Sequence, residues 1–186
     1  MSIFQTIHDR RSIKEFTSRS VSREEIERLL ETVTQAPNHR ITEPWRFYVL
    51  GPKARHAYGT ALGRRKAKRV EDPEAAEAVI QKVANAHEAL PCMIAIASVL
   101  DENPEVREED YAAVFMGLQN LSLAAHHMGL GAHIKSGAVM EDPLARLAVD
   151  VADRERIVAT VHIGEPAQIP EQKPRKLAVE FTSWVG

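Results

Sequence analysis

Between Arg107 and Gly131 the chain reads "REEDYAAVFMGLQNLSLAAHHMGLG", the longest helical pattern it contains and the least polar. Tyr111, Val114, Phe115, Leu118, Leu121, Leu123, Ala124 and Met128 occupy more than one face of that helix, and no single neighbour can cover them all. Such a helix belongs at the centre of a fold. "GLG" closes it as a glycine C-cap, and "AHIKSG" leaves as a short extended piece.

The other elements are read around it. Residues 2 to 9 form a first short helix. In "SVSREEIERLLETVTQAP" a capping box joins Ser22 to Glu25, Ile26, Leu29, Leu30 and Val33 follow at helical spacing, and Pro37 closes the pattern. "WRFYVLG", Trp45 to Gly51, has the aromatic and β-branched content of a strand, with Trp45 as a core residue. A helix spans about Pro52 to Val70. The next opens on Asp72 as N-cap with Pro73 at its first position and closes at Pro91. "CMIAIASVL" is a buried strand, "MEDPLARLAV" a helix capped by Asp142 with Pro143 in its first position, and Ile157 to Pro166 a final strand. The tail from Ala167 to Gly186 ends in the apolar "FTSWV" and has no place in a compact core of its own chain.

Composition narrows the function classes. With 186 residues and 44% hydrophobic content the chain is long enough to fold as one unit, 1–186, without disulfide or metal staples. A net charge of -2 supplies no field for nucleic acid or an anionic membrane. The one cysteine, Cys92, cannot form an internal disulfide and sits in an apolar strand as a core residue, and "MSIFQTIHDRRS" lacks a signal-peptide core. A cytoplasmic location is the expectation. "MIAIASVL" is far shorter than the roughly 20 residues of a membrane span.

Common catalytic signatures are missing. The eight histidines and one cysteine give no HExxH, no CxxC and no other metal-ligand spacing, so no metal is expected. "GLGAHI" begins like a dinucleotide fingerprint, but Ile134 stands where the third glycine belongs and the segment follows a helix instead of opening one. Neither a GxxxxGK[ST] phosphate loop nor a GxSxG elbow occurs.

Four segments remain: "RRS" at 10 to 12, "APNHRITEPWRF" at 36 to 47, "GLGAHIKSG" at 129 to 137, and "KPRK" at 173 to 176. Arg10 and Arg11 can complement the negative end of the first helix, or they can bind an anion. His39 reads as a solvated loop residue or as part of a site. Lys135 reads as a connector lysine or as a ligand contact. In this order and at these separations the four segments resemble the nitroreductase family of flavin mononucleotide (FMN) dependent oxidoreductases, and the resemblance covers nearly the whole chain.

That resemblance implies roles. Arg10, Arg11 and Ser12 match phosphate and ribityl contacts, and Lys173 and Arg175 match a basic pair on the same phosphate. Pro37, Asn38 and His39 would line the flavin of a neighbouring subunit, while Ile41 departs from the asparagine many relatives carry. Ile134, Lys135, Ser136 and Gly137 would lie along the ring, with Lys135 favouring an anionic reduced flavin. The implied fold is α+β, a mainly antiparallel sheet of four or five strands flanked by helices, in an intertwined homodimer with FMN at the interface. The implied activity takes hydride from NADH or NADPH onto flavin N5 and passes electrons by a ping-pong scheme to a nitroaromatic, quinone or similar small conjugated acceptor. No catalytic side chain is needed, because the cofactor carries the chemistry. Two other classes fit the residues less fully: a flavin-binding sensor or storage protein, and a flavin-free, helix-rich interaction domain.

Overall fold

A computed structural model describes residues 2–186. Six helices and four strands follow in the order α1 (Ile3–Asp9), α2 (Arg23–Thr34), β1 (Trp45–Val49), α3 (Pro52–Ala67), α4 (Pro73–Glu88), β2 (Cys92–Val99), α5 (Pro104–His127), β3 (Gly131–Lys135), α6 (Pro143–Val149) and β4 (Glu155–Gly164). The strands form one sheet in the order β1-β2-β4-β3, every pair antiparallel. The class is the expected α+β, with four strands.

Three helix starts share one device. Asp72, Asn103 and Asp142 each accept a hydrogen bond from a backbone N–H of the first turn, and a proline follows each at the first helical position. The Ser22–Glu25 capping box is formed in full. α5 begins at Pro104, three residues before the reading from Arg107, because the Asn103–Pro104 start precedes the apolar pattern.

β2 is buried along its length and divides the core. Ile94, Ile96, Val161 and Ile163 pack with Leu29 and Val33 of α2 and Val114, Leu118 and Leu121 of α5. On the other face Met93, Ala95 and Ile157 pack with Tyr58 and Ala61 of α3 and Ala145 and Val149 of α6. Trp45 is buried with Ala36 and Ala113, as expected of a core residue. α5 carries the burial its sequence demands, although Tyr111 remains 37% exposed.

Small residues set the closest helix contacts. A Cβ on Gly59 of α3 would lie 2.8 Å from Ala84 Cα and 2.9 Å from Val83 O of α4. One on Gly117 of α5 would lie 2.6 Å from Val33 Cγ1. From Ala167 onward every residue of the tail is exposed, and only its start is tied down by backbone hydrogen bonds to the rest of the chain: Ala167 N–H donates to Glu15 O at 3.0 Å, and Thr17 N–H donates to Glu165 O at 2.9 Å. This pairing holds the beginning of the tail beside the segment that follows α1.

Candidate active site

The end of α1 and the tail enclose a cavity of about 890 Å³. Arg10, Arg11, Ser12, Lys14, Lys173 and Arg175 line it, as do Glu15 and Glu171. Five Arg and Lys side chains therefore face two carboxylates. Phe4, Ile7 and Pro170 add apolar wall, and Gln172 Nε2 meets His8 Nε2 across the cavity wall at 3.3 Å. Chain ends separated by more than 160 residues supply the charge.

The two arginines divide the roles that the sequence left open. Arg11 turns back on α1: its Nη1 donates to His8 O at 2.7 Å and to Arg10 O at 3.0 Å, satisfying carbonyls at the helix end. Arg10 has no such partner. Partial burial, then the nearby Arg175 and Arg11 charges, lower the proton affinity of its guanidinium. Cations held together against their mutual repulsion, with part of their hydration removed, make a site suited to an anion with several acceptor oxygens.

Ser12 pairs with Ala132 of β3, and Ile13 N–H donates to Ala132 O at 3.1 Å. A Cβ on Gly131 would lie 2.4 Å from Ile13 Cγ1, so glycine there permits the contact. β3 thus leads from the cavity wall to Ile134, Lys135, Ser136 and Gly137. Ile134 and Lys135 are half-buried, and Ser136 and Gly137 are exposed. Gly137 has φ 131°, a conformation that side chains rarely adopt. Lys135 is held below the ordinary lysine pKa by burial first, then by the charges of Lys66 and Lys14. These four residues do not line the cavity; they follow Ala132, the residue paired with Ser12 of its wall.

On the same strand face His133 stands beside His162, ring centroids 6.2 Å apart, and His162 stands beside His87 at 5.5 Å. His162 is buried, and desolvation, with Lys135, His87 and His133 adding to it, pushes its pKa down to about 2. These rings are neutral at physiological pH.

Pro37, Asn38 and His39 lie apart from the cavity, in the loop between α2 and β1. Asn38 Nδ2 donates to Asp110 Oδ1 at 3.3 Å, the Thr42 hydroxyl bonds the same oxygen, and His39 Nδ1 lies 2.8 Å from Glu109 Oε1. Arg40 pairs with Glu109 at 3.0 Å. Ile41 and Glu43 hold positive φ of 49° and 47° within this anchored loop. Thus one protomer unites Arg10, Arg11, Ser12, Lys173 and Arg175 on one cavity, carries the 134–137 strip on from the strand paired with Ser12, and leaves 37–39 at a separate surface.

Sequence reasoning missed Lys14 and Lys66. Lys14 lies two residues beyond "RRS", so its position was the available signal. Lys66 sits in the basic run "RRKAKR" that closes α3, which reads as an ordinary helix end until the fold brings it to Lys135. Among the described residues no group of three or more His, Cys, Asp or Glu side chains is arranged to hold a metal ion, and no helix is long and apolar enough to cross a membrane.

The family model described as "Nitroreductase family" matches residues 7–165. YfhC of Bacillus subtilis (strain 168), provisionally named an NAD(P)H nitroreductase, is 36% identical over 172 residues, covering 91% of this chain and 87% of the relative. A nitroreductase-like family protein from Bacillus cereus superposes over 100% of this chain and 96% of its own, with a TM-score of 0.87 and 29% identity. NfnB of Sphigopyxis sp. strain HMH, an FMN and NADPH-dependent nitroreductase, shares the fold over 100% of both chains at a TM-score of 0.79 and 20% identity. The chain belongs to the nitroreductase family.

Proposed function

We propose that the protein is an FMN-dependent NAD(P)H oxidoreductase, and that the cavity beneath α1 grips the cofactor's phosphate. The observation that carries this reading is the convergence of Arg10, Arg11 and Ser12 with Lys173 and Arg175 from the far end of the chain on one cavity. Their donor set fits a phosphate: guanidinium forks and an ammonium meet acceptor oxygens, and Ser12 adds a hydroxyl. The names carried by the YfhC and NfnB relatives support the same cofactor and reductant.

When bound, the flavin supplies the redox chemistry, taking hydride from NAD(P)H and passing electrons to a nitroaromatic, quinone or related conjugated acceptor in a ping-pong scheme. The chain's tasks are binding and orientation. Arg10, Lys173 and Arg175 hold the phosphate end, and Ser12 fixes that grip to β3 through the neighbouring Ile13–Ala132 hydrogen bond. Ile134 offers an apolar surface to a ring, and Gly137 permits close backbone approach. Lys135 would offer positive charge to a flavin ring held there.

The assembly belonging to this reading is a homodimer. Phe4 is 81% exposed, Phe181 74% and Trp184 92%, an apolar surface a second copy of the chain would cover. In that arrangement Pro37, Asn38 and His39 approach the cofactor of the neighbouring subunit. An absorbance spectrum of the purified protein tests the reading. Bound FMN with bleaching on anaerobic addition of NADH or NADPH is expected. Flavin that stays oxidised would favour the sensor or storage class, and a colourless protein that takes up no FMN the interaction domain.

A further inference from the structure

We propose that a second cleft, at the opposite end of the sheet from the phosphate cavity, binds a small aromatic monocarboxylate, with Arg107 and Arg156 taking the carboxylate and Tyr111 flanking the ring. The inference stands apart from the oxidoreductase reading, because no residue lines both cavities.

The cleft, of about 410 Å³, opens where β2 ends and α5 and β4 begin. Strand register separates it from the first cavity. Ser12 of the phosphate cavity pairs with Ala132, in line with Ile163 and Cys92, whereas Ser98 of the cleft pairs with Arg156 at the other end of β2 and β4. Leu100 is 36% exposed and Tyr111 37%, so apolar surface that the core leaves uncovered lines this opening.

Two guanidinium groups share the cleft on different terms. Arg156 is held at two points: its Cζ lies 5.2 Å from the centroid of the Tyr111 ring, and its Nε lies 3.2 Å from Glu141 Oε1. Tyr111 is itself steadied by Phe115, ring centroids 5.0 Å apart, and Phe115 packs against the core. Arg107 stands one turn before Tyr111 on α5 and lines the same cleft. Among the described residues its side chain has no hydrogen-bond or ion-pair partner. One fork is therefore fixed by stacking and the other is free to close on a ligand, an arrangement suited to the planar oxygens of a carboxylate.

Charge and size select the ligand. Glu108 also lines the cleft, and Glu141 sits on Arg156, so two carboxylates balance the two guanidinium groups. A polyphosphate or a nucleic acid strand would meet repulsion there, while a single carboxylate fits between the two forks. The volume falls within the range of small-molecule sites, roughly 300–1,000 Å³, and leaves room for more than a carboxylate alone. Tyr111, Leu100 and Pro104 offer that remainder an apolar, partly aromatic wall, which a flat ring covers best.

The test titrates the purified protein, with FMN present, with benzoate, benzamide and acetate by calorimetry, following the flavin spectrum alongside. Benzoate should saturate one site per chain at least about tenfold more tightly than benzamide, which lacks the charge, or acetate, which lacks the ring, and should leave the flavin spectrum unchanged. Arg107→Gln should lower benzoate affinity at least about tenfold and melt with the parent, since it breaks no contact of the fold. Tyr111→Leu should shrink the preference for benzoate over acetate at least about threefold. Equal affinity for benzoate and benzamide, no saturable binding of benzoate, or benzoate binding unchanged in Arg107→Gln overturns the inference. So does a benzoate-dependent change in the flavin spectrum that persists in Arg107→Gln, which would put the ligand at the cofactor.

Discussion

Arg10 and Arg175 lie 165 positions apart in the chain yet face the same cavity, and the charge of Arg175 is the main cause, after burial, that lowers the proton affinity of Arg10. Holding two guanidinium groups together costs the free protein stability that a bound polyanion returns. FMN should therefore raise the melting temperature as it binds, by mass action.

Substitutions at the two neighbouring arginines should have different effects. Arg10→Ala removes a cation with no hydrogen-bond or ion-pair partner among the described residues, and the FMN dissociation constant should rise at least about tenfold, in line with the loss of one charge-assisted hydrogen bond. Arg11→Ala removes the donor to His8 O and Arg10 O and frays the end of α1. Its effect on FMN affinity should be the smaller of the two. Fluorescence titration of FMN with each variant measures both.

The imidazole file predicts an acid limb in stability. The folded His162 pKa, pushed down to about 2, lies below the unfolded value of about 6.5. Below pH 6.5 the unfolded chain takes up a proton that the folded one refuses. Stability then falls as the pH drops towards 2, by up to about 1.4 kcal/mol per pH unit for this ring. His87, lowered mainly by burial, acts in the same direction. Denaturation midpoints between pH 7 and 5 should show the slope, and His162→Gln should flatten it.

Gly59→Ala should destabilise the protein by about 1–3 kcal/mol, because the new methyl meets the α4 backbone at Ala84 and Val83. For a domain of this size that lowers the melting temperature by roughly 2–4 °C per kcal/mol. Gly51→Ala, where nothing lies within 4 Å of the added carbon, carries only the loss of the preferred N-cap of α3 and should lower the midpoint less than Gly59→Ala.

Asp110 anchors the loop that carries Asn38 and His39. It is 3% exposed and accepts from both Asn38 and Thr42. Asp110→Ala removes the buried acceptor that holds both groups to α5, leaving the Asn38 side-chain N–H and the Thr42 hydroxyl only each other's side chains, and should cost about 1–3 kcal/mol, read from the thermal midpoint. The loop should also become more sensitive to trypsin at Arg40, because Ile41 and Glu43 hold their positive φ only while it is anchored.

Local signals made much of the fold legible. The Ser22–Glu25 capping box, the Asp72–Pro73 and Asp142–Pro143 starts and the apolar "CMIAIASVL" each name their element within the segment itself. The start of α5 lies ahead of its apolar pattern, because a polar turn separates that pattern from Asn103–Pro104. The site was legible only in pieces. "RRS" and "KPRK" suggest anion binding separately, but their meeting depends on the pairing of residues 15 to 17 with 165 to 167, which neither segment announces. Lys66 belongs to the same case, since its closeness to Lys135 comes from packing across elements. The split between Arg10 and Arg11 could not be read at all, because it depends on which way each side chain turns.

The central claim is that the two ends of the chain grip a phosphate, and comparing FMN with riboflavin tests it most directly. Titrating the purified protein with each should give FMN an affinity at least about a hundredfold higher, an advantage that shrinks as salt rises and is largely lost in Arg10→Ala, Arg175→Ala. Equal affinity for the two flavins, or an advantage for FMN that survives loss of both arginines, would contradict the account.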